Sequence, residues 1–261
     1  MPGLSDPDLA ALLPEIVALA RAASQIVMKV YAGEFDVRAK KDATPVTVAD
    51  EQSEQLILAG LKKLTPDIPA ASEEQMSASG TWKTPPPRFW LVDPLDGTRE
   101  FASRNGEFSI NIGLVDGGKP ILGAVHGPVA NVTWAAAGPG TAAVWRGSAA
   151  PKPIRARRAP PEGATVLASR SHGDRAALDA FLAEHKVAGL KQSGSALKFG
   201  LLAEGEADLY PRFGPTMEWD TAAGHAVLEA AGGRIETLSG GPLLYGKPGL
   251  KNPDFIAWGM R

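Results

Sequence analysis

The sequence predicts an α+β half followed by an α/β half, on three observations. Two stretches with helical apolar spacing come first. A run of strand-like segments without long intervening helices follows. After a Gly/Pro/Ala/Arg-rich stretch at 147–163, strands and helices alternate. The expected units are 1–150, α+β with an antiparallel sheet, and 151–261, an α/β unit.

The elements follow in order. Leu9, Leu12, Leu13, Ile16, Val17, Ala20, Ala23, Ile26, Val27 and Val30 recur at helical spacing over 8–31. Asp6-Pro7 reads as a cap and first helical residue, and Pro14 either kinks this helix or marks its true start. A second helix is expected over Thr47–Leu64 on Val48, Leu56, Ile57, Leu61 and Leu64, and a loop containing "ASEEQ" comes after it. From Phe89 the segments "FWLVD", "FSINIGLVD", "PILGAVHG", "NVTWAAA" and "TAAVW" read as successive strands, with Asp116-Gly117-Gly118-Lys119 as a hairpin. Beyond the boundary, "ATVLAS", "ADLYP", "RIET" and "FIAW" read as strands. "HGDRAALDAFLAEH", "SALKFGLLAEG" and "DTAAGHAVLEAAGG" read as helices, the last closed by Gly232-Gly233.

Composition narrows the function classes. The chain has 261 residues, 44% hydrophobic and 21% charged, which suits a globular protein with a substantial core. A net charge of −2 supplies no basic field for nucleic acid or an anionic membrane surface. The absence of cysteine excludes disulfides, zinc–thiolate sites and thiol catalysis. No leader is read at the N-terminus, and no apolar run is read as reaching the ~20 residues that span a bilayer. The expectation is a cytoplasmic monomer or homodimer, with peripheral contact to the inner membrane left open.

The stretch "WLVDPLDGTREF" ends an apolar strand in Asp93 and Asp96. Pro94 and Gly97 bend the backbone there, and such a turn can aim two carboxylates and the Leu95 carbonyl at one point. Hard cations such as Mg2+ take oxygen ligands of this kind and keep positions for water and phosphate. Thr98 and Glu100 could open a helical turn whose N–H groups face a phosphate. Read alone, D-P-L-D-G-T is an ordinary turn, Glu73-Glu74 a solvated acidic pair, Thr47-x-x-Asp50 a capping box and Asp220 an N-cap. The four histidines, His126, His172, His185 and His225, show no zinc spacing and read as surface or supporting groups. "GPGTAAVWRG" lacks G-K-[ST] and is no P-loop; "SGSALKFG" is a weak phosphate-binding signal.

In combination these pieces are far more specific. "SEE", "WLVDPLDGTREF" and "WDTAAGHAV", in that order, resemble the lithium-sensitive, magnesium-dependent phosphomonoesterases of the inositol monophosphatase superfamily. "GTREFASRNGEFSINIGLV", "SRSH" and "LKFGLLAEGEADLYPRFGPT" are most similar to the bacterial 3'(2'),5'-bisphosphate nucleotidases. The resemblance implies a layered αβαβα sandwich. It makes the first unit metal-binding and has the second complete the active site. It implies Glu73, Asp93, the Leu95 carbonyl, Asp96 and Asp220 as ligands of two or three Mg2+ ions, and Asp50 with Thr98 as the pair that activates the attacking water. Gly97 and Thr98 would offer N–H groups to the phosphate. Ser169, Arg170, Ser171, His172, Ser195, Lys198, Arg212 and Asp220 would contact substrate, and Lys40 falls near an additional metal or water. Arg99 and Ala196 depart from close relatives, which often carry Lys and Ser there; neither would touch the metals.

The activity implied is hydrolysis of the 3'-phosphate of adenosine 3',5'-bisphosphate to AMP and phosphate, with 3'-phosphoadenylyl sulfate as a further substrate and a role in sulfur metabolism. Alternatives are an inositol or sugar monophosphatase on the same scaffold, and a phosphate-ligand sensor without turnover. A sensor would have no need of a water-activating pair.

Overall fold

The computed structural model describes residues 6–39, 45–170 and 173–260. Helix α1 (Asp6–Ala32) is followed by the short strands β1 (Arg38–Ala39) and β2 (Pro45–Val46), then α2 (Val48–Leu64). Pro14 lies inside α1 and not at its start. The larger sheet has seven strands: β3 (Ala70–Ser72), β4 (Arg88–Asp96), β5 (Ser109–Asp116), β6 (Lys119–Gly127), β7 (Val132–Ala137), β8 (Ala143–Arg146) and β9 (Lys152–Pro153). They lie side by side in chain order. Helix α3 (Glu73–Ser79) follows β3, and α4 (Thr98–Ala102) follows β4. Every pair is antiparallel except β3 with β4, so the expected antiparallel sheet holds apart from its parallel edge. The β5–β6 hairpin turns through Gly117 (φ +55°) and Gly118 (φ +79°), a conformation that glycine adopts without strain.

The later residues form β10 (Ala164–Ser169), α5 (Arg175–Ala183), β11 (Val187–Ser193), α6 (Leu197–Ala203), β12 (Leu209–Arg212), β13 (Thr216–Met217), α7 (Ala222–Ala230), β14 (Arg234–Thr237), β15 (Lys251–Asn252) and β16 (Phe255–Trp258). A five-stranded sheet runs β11-β10-β12-β16-β14, with β10 parallel to β11 and β12 and the other pairs antiparallel. β13 and β15 form a separate two-stranded ribbon.

Alternation along β4 explains why this strand is apolar throughout. Trp90 and Val92 face a core shared with Ile16, Ala20, Val27, Ile57 and Leu61 of α1 and α2, while Phe89 and Leu91 face the opposite core. That second core holds α6 and α7 between the two sheets, with Leu167, Tyr210, Ile235 and Phe255 contributed by the smaller one. On the far side, Phe181 of α5 and His185, just past its end, lie against Trp258. The order of layers is αβαβα, as the resemblance implied. By length and composition α1 would be apolar enough to cross a membrane (mean hydropathy 1.4 over Asp8–Ala32), contrary to the sequence reading; here Ile16, Val17, Ala20, Ala23 and Val27 are packed in the first core.

A pair of glycines places α7. Gly113 and Gly123 are cross-strand partners in β5 and β6. A Cβ on Gly123 would lie 2.3 Å from the Ala223 carbonyl oxygen, and one on Gly113 2.8 Å from the Ala223 nitrogen. The start of α7 therefore rests directly on the sheet backbone. Gly123→Ala is expected to cost about 2–3 kcal/mol through overpacking and to slow catalysis by displacing the adjoining Asp220. Urea melts read the first effect and phosphate-release rates the second; an unchanged midpoint would contradict this packing.

Candidate active site

The carboxylates of "WLVDPLDG" are brought together by a bulge. Asp93 pairs with Asn111 and Asp96 with Ser109, so three steps on β4 match two on β5. Residues three apart on a regular strand face opposite ways; the extra residue lets Asp93 and Asp96 line the same cleft. Pro94 has no N–H to give the ladder, and its carbonyl accepts from Ser53 Oγ at 3.0 Å. Gly97, at φ +93°, then reverses the chain into α4. Glu73 follows β3, whose Ser72 pairs with Val92, so it emerges beside Asp93. Asp220 ends a single turn of 3-10 helix, Glu218–Asp220, and Thr221, not Asp220, caps α7.

The cleft has a volume of about 440 Å³. Glu73, Asp93, Leu95, Asp96 and Asp220 line it, as do Gly97, Thr98, Ser169, Ser195, Lys198 and Arg212. Asp50 lies behind Thr98 and is 1% exposed. Its Oδ2 accepts from the Thr47 nitrogen (2.8 Å) and Thr47 Oγ1 (2.7 Å), and its Oδ1 accepts from Thr98 Oγ1 (3.2 Å). The capping box and the Asp50–Thr98 pair thus coexist on one carboxylate. Thr98 Oγ1 also lies 3.3 Å from the Leu95 carbonyl oxygen.

Each aspartate of the cluster is braced by one backbone amide: Leu95 N to Asp93 Oδ1 (3.0 Å), Ala196 N to Asp96 Oδ2 (2.6 Å) and Met217 N to Asp220 Oδ2 (2.8 Å). No hydrogen bond engages the other oxygen of each among the described residues. Burial drives the Asp93 carboxyl well above the usual carboxylate range, and the charges of Glu73, Asp96 and Asp220 add to it. Asp220 is raised in the same way, by burial and then by Asp96 and Glu73. Asp96 is pushed up to about 6 by burial, with Lys198 and the Ala196 amide pulling the other way. Buried carboxylates that repel one another are eased by an opposite charge placed among them. An all-oxygen donor set of this kind fits a hard divalent cation. Among the described residues no three acidic or histidine side chains are already drawn into a finished coordination sphere; the fit lies in donor chemistry and charge.

The profile of the inositol monophosphatase family matches residues 8–255. The chain belongs to the inositol monophosphatase family. It is 47% identical over 254 residues to the 3'(2'),5'-bisphosphate nucleotidase CysQ of Escherichia coli K12, covering 94% of this chain and 98% of that protein. It is 44% identical over 253 residues to the CysQ of Salmonella typhimurium, with the same coverage. Among solved structures, CysQ from Bacteroides thetaiotaomicron superposes with a TM-score of 0.78 at 33% identity over 95% of this chain and 97% of that one. An IMPase from Thermotoga maritima, at 24% identity and TM-score 0.75, shares the fold.

In this family member several substrate-contact expectations meet a different geometry. Arg170 does not line the main cleft. Its guanidinium pairs with Glu107 in a two-pronged contact (2.9 and 2.8 Å), and Glu107 also accepts from the Gly194 nitrogen. Arg170 borders a smaller hollow of about 180 Å³, which shares Ser169 and Arg212 with the main cleft. Lys198 is 2% exposed, and burial pushes its ammonium down to about 8. It donates to the carbonyls of Ser193 (3.0 Å) and Ser195 (2.5 Å) and lies over the Tyr210 ring. Ser195 holds φ +54°, uncommon outside glycine, with its hydroxyl 2.5 Å from Ser109 Oγ. Lys40, Ser171 and His172 lie outside the described residues. His126 and His225 are buried, at 2% exposure each, and not on the surface.

Sequence reading missed Ser109 and Asn111, which support Asp96 and Ser195 from the floor. The signal was present: in "FSINIGLV" two polar residues, Ser109 and Asn111, alternate with apolar ones on a strand buried from Ser109 to Val115.

Proposed function

We propose that the chain is a phosphomonoesterase that removes the 3'-phosphate of adenosine 3',5'-bisphosphate to give AMP and phosphate, and that it also accepts 3'-phosphoadenylyl sulfate. One observation carries the reading: the acidic cleft with the Asp50–Thr98 pair at its edge, in a chain 47% identical to a bisphosphate nucleotidase. Glu73, Asp93, Asp96, Asp220 and the Leu95 carbonyl would hold two or three Mg2+ ions. When bound, such ions neutralise phosphate charge and make a nearby water more acidic.

The chain's own groups do the rest. The Gly97 and Thr98 amides begin α4 and would orient the ester oxygens. Thr98 Oγ1 holds its proton toward Asp50 Oδ1, which leaves its lone pairs for the proton of the attacking water. As the water oxygen bonds to phosphorus, that proton would pass to Thr98 and the threonine proton to Asp50, while the bond from phosphorus to the 3'-oxygen breaks. The departing 3'-alkoxide takes a proton from solvent water to become the hydroxyl of AMP, and Asp50 returns its proton to solvent. Thr47 holds the far oxygen of Asp50 and so fixes the direction of transfer. Arg212, donating to Ser169 Oγ (2.9 Å) and the Pro215 carbonyl (3.1 Å), shapes the wall that would meet the nucleoside.

The test is phosphate release from adenosine 3',5'-bisphosphate with Mg2+, the nucleotide product identified by chromatography. The expected product is adenosine 5'-monophosphate, and chelation by EDTA should stop the reaction until Mg2+ is restored. Adenosine 3'-monophosphate as product, or full turnover in chelator with metal removal confirmed, would overturn the assignment.

A further inference from the structure

A substrate with two phosphates brings a second anion that must settle away from the carboxylates. Four cationic side chains line the cleft: Arg99, Lys198, Arg212 and Lys251. Lys198 and Arg212 are buried, and their donors already hold the wall together through Ser193, Ser195, Ser169 and Pro215. Arg99 is exposed but adjoins Thr98 on α4, beside the reacting ester. Lys251 is exposed on another wall, and among the described residues no hydrogen bond or ion pair engages its ammonium.

The backbone around Lys251 is closely held. β15 pairs with β13 so that Met217 faces Lys251 and Thr216 faces Asn252. Alternation puts these two pairs on opposite faces of the ribbon. Asn252 Nδ2 lies within bonding distance of the Met217 carbonyl (2.8 Å), Thr221 Oγ1 (3.0 Å) and Thr216 Oγ1 (3.2 Å). The adjoining segment is tied to the same turn. Glu218, wholly buried, accepts from the Gly246 and Lys247 nitrogens and pairs with Lys247 Nζ at 2.6 Å. The ribbon thus fixes the Lys251 backbone relative to the turn that carries Asp220, and leaves its long, mobile charge at the cleft.

We propose that Lys251 is a specificity-determining residue that binds the phosphate remote from the scissile ester. The inference rests on the nucleotide reading given above. An ammonium on a flexible stem suits a terminal phosphate, which it can meet as a point charge from several directions.

Two substrates that differ only in the remote phosphate isolate the effect: adenosine 3',5'-bisphosphate and adenosine 3'-monophosphate. Lys251→Gln keeps the stem and removes the charge. It is expected to raise KM for the bisphosphate about tenfold, with kcat within about twofold and KM for the monophosphate little changed. Lys251→Arg should keep most of the discrimination. Equal effects on both substrates, or none on either, in a variant with an unaltered thermal midpoint would overturn the role of Lys251 and leave the nucleotidase reading in place. Failure of the unmodified protein to hydrolyse the bisphosphate would instead remove that reading, and this inference with it.

Discussion

Asp93→Asn is expected to reduce turnover by about a thousandfold or more while making the metal-free protein more stable. The two effects have one cause. Asp93 is 1% exposed and stands against Glu73, Asp96 and Asp220. Its ionised form is disfavoured by burial first and by those charges second. An amide removes one charge from the cluster and can still accept the Leu95 amide bond, now 3.0 Å long. The same change takes a donor from the proposed ion site, where several kcal/mol of charge stabilisation is about three decades of rate. The pH dependence follows. A carboxyl whose folded pKa is raised binds protons more tightly in the folded state, so stability falls as pH rises from about 4 toward the raised value. Asp96, at about 6, adds to this slope between about pH 4 and 6. In EDTA the wild type should therefore melt at lower temperature at pH 7.5 than its other groups dictate, and Asp93→Asn should recover part of the difference. Each kcal/mol relieved is worth about 2–4 °C in a chain of this size. A lower midpoint than wild type at pH 7.5 in EDTA, or more than a tenth of wild-type activity, would contradict the account.

Thr98→Ala and Asp50→Asn are each expected to slow turnover by about 10²–10⁴-fold, the usual contribution of a positioned proton acceptor. The double variant should be no slower than the worse single one, because the two side chains act as a unit. Thr98→Ala is the cleaner probe. Asp50 also caps α2 through Thr47, so its replacement carries a stability cost of about 1 kcal/mol. Losses that multiply in the double variant would show that the contact of 3.2 Å between the two is structural and carries no proton.

Much of this arrangement was legible in the sequence, and what was not has physical reasons. The apolar run before Asp93, the turn formers Pro94 and Gly97, and the hairpin at Gly117-Gly118 encode local geometry, and the structure follows them. The bulge does not show in β4 alone, because it is defined by the register against Asn111 and Ser109 on the next strand. Arg170 was expected only as a substrate contact, by resemblance, and an arginine carries no sign of its partner in the sequence; its guanidinium pairs with Glu107, 63 residues away. Lys198 shows the same limit, since its burial depends on the loop 193–195 and on Tyr210. Strand β11 went unread because its residues are mostly exposed at a sheet edge, and "VAGLKQS" lacks the apolar alternation of an inner strand.

The central claim is the choice of a bisphosphate nucleotide over a small polyol phosphate. Its most direct measurement is competition in one tube. Adenosine 3',5'-bisphosphate and inositol 1-phosphate, at equal concentration with Mg2+, are followed together by phosphorus NMR, and their relative rates of loss give the ratio of kcat/KM. The account predicts that the nucleotide is consumed first, by a factor of at least about ten, as one extra charge-assisted contact requires. Equal consumption, or faster loss of inositol 1-phosphate, would contradict it.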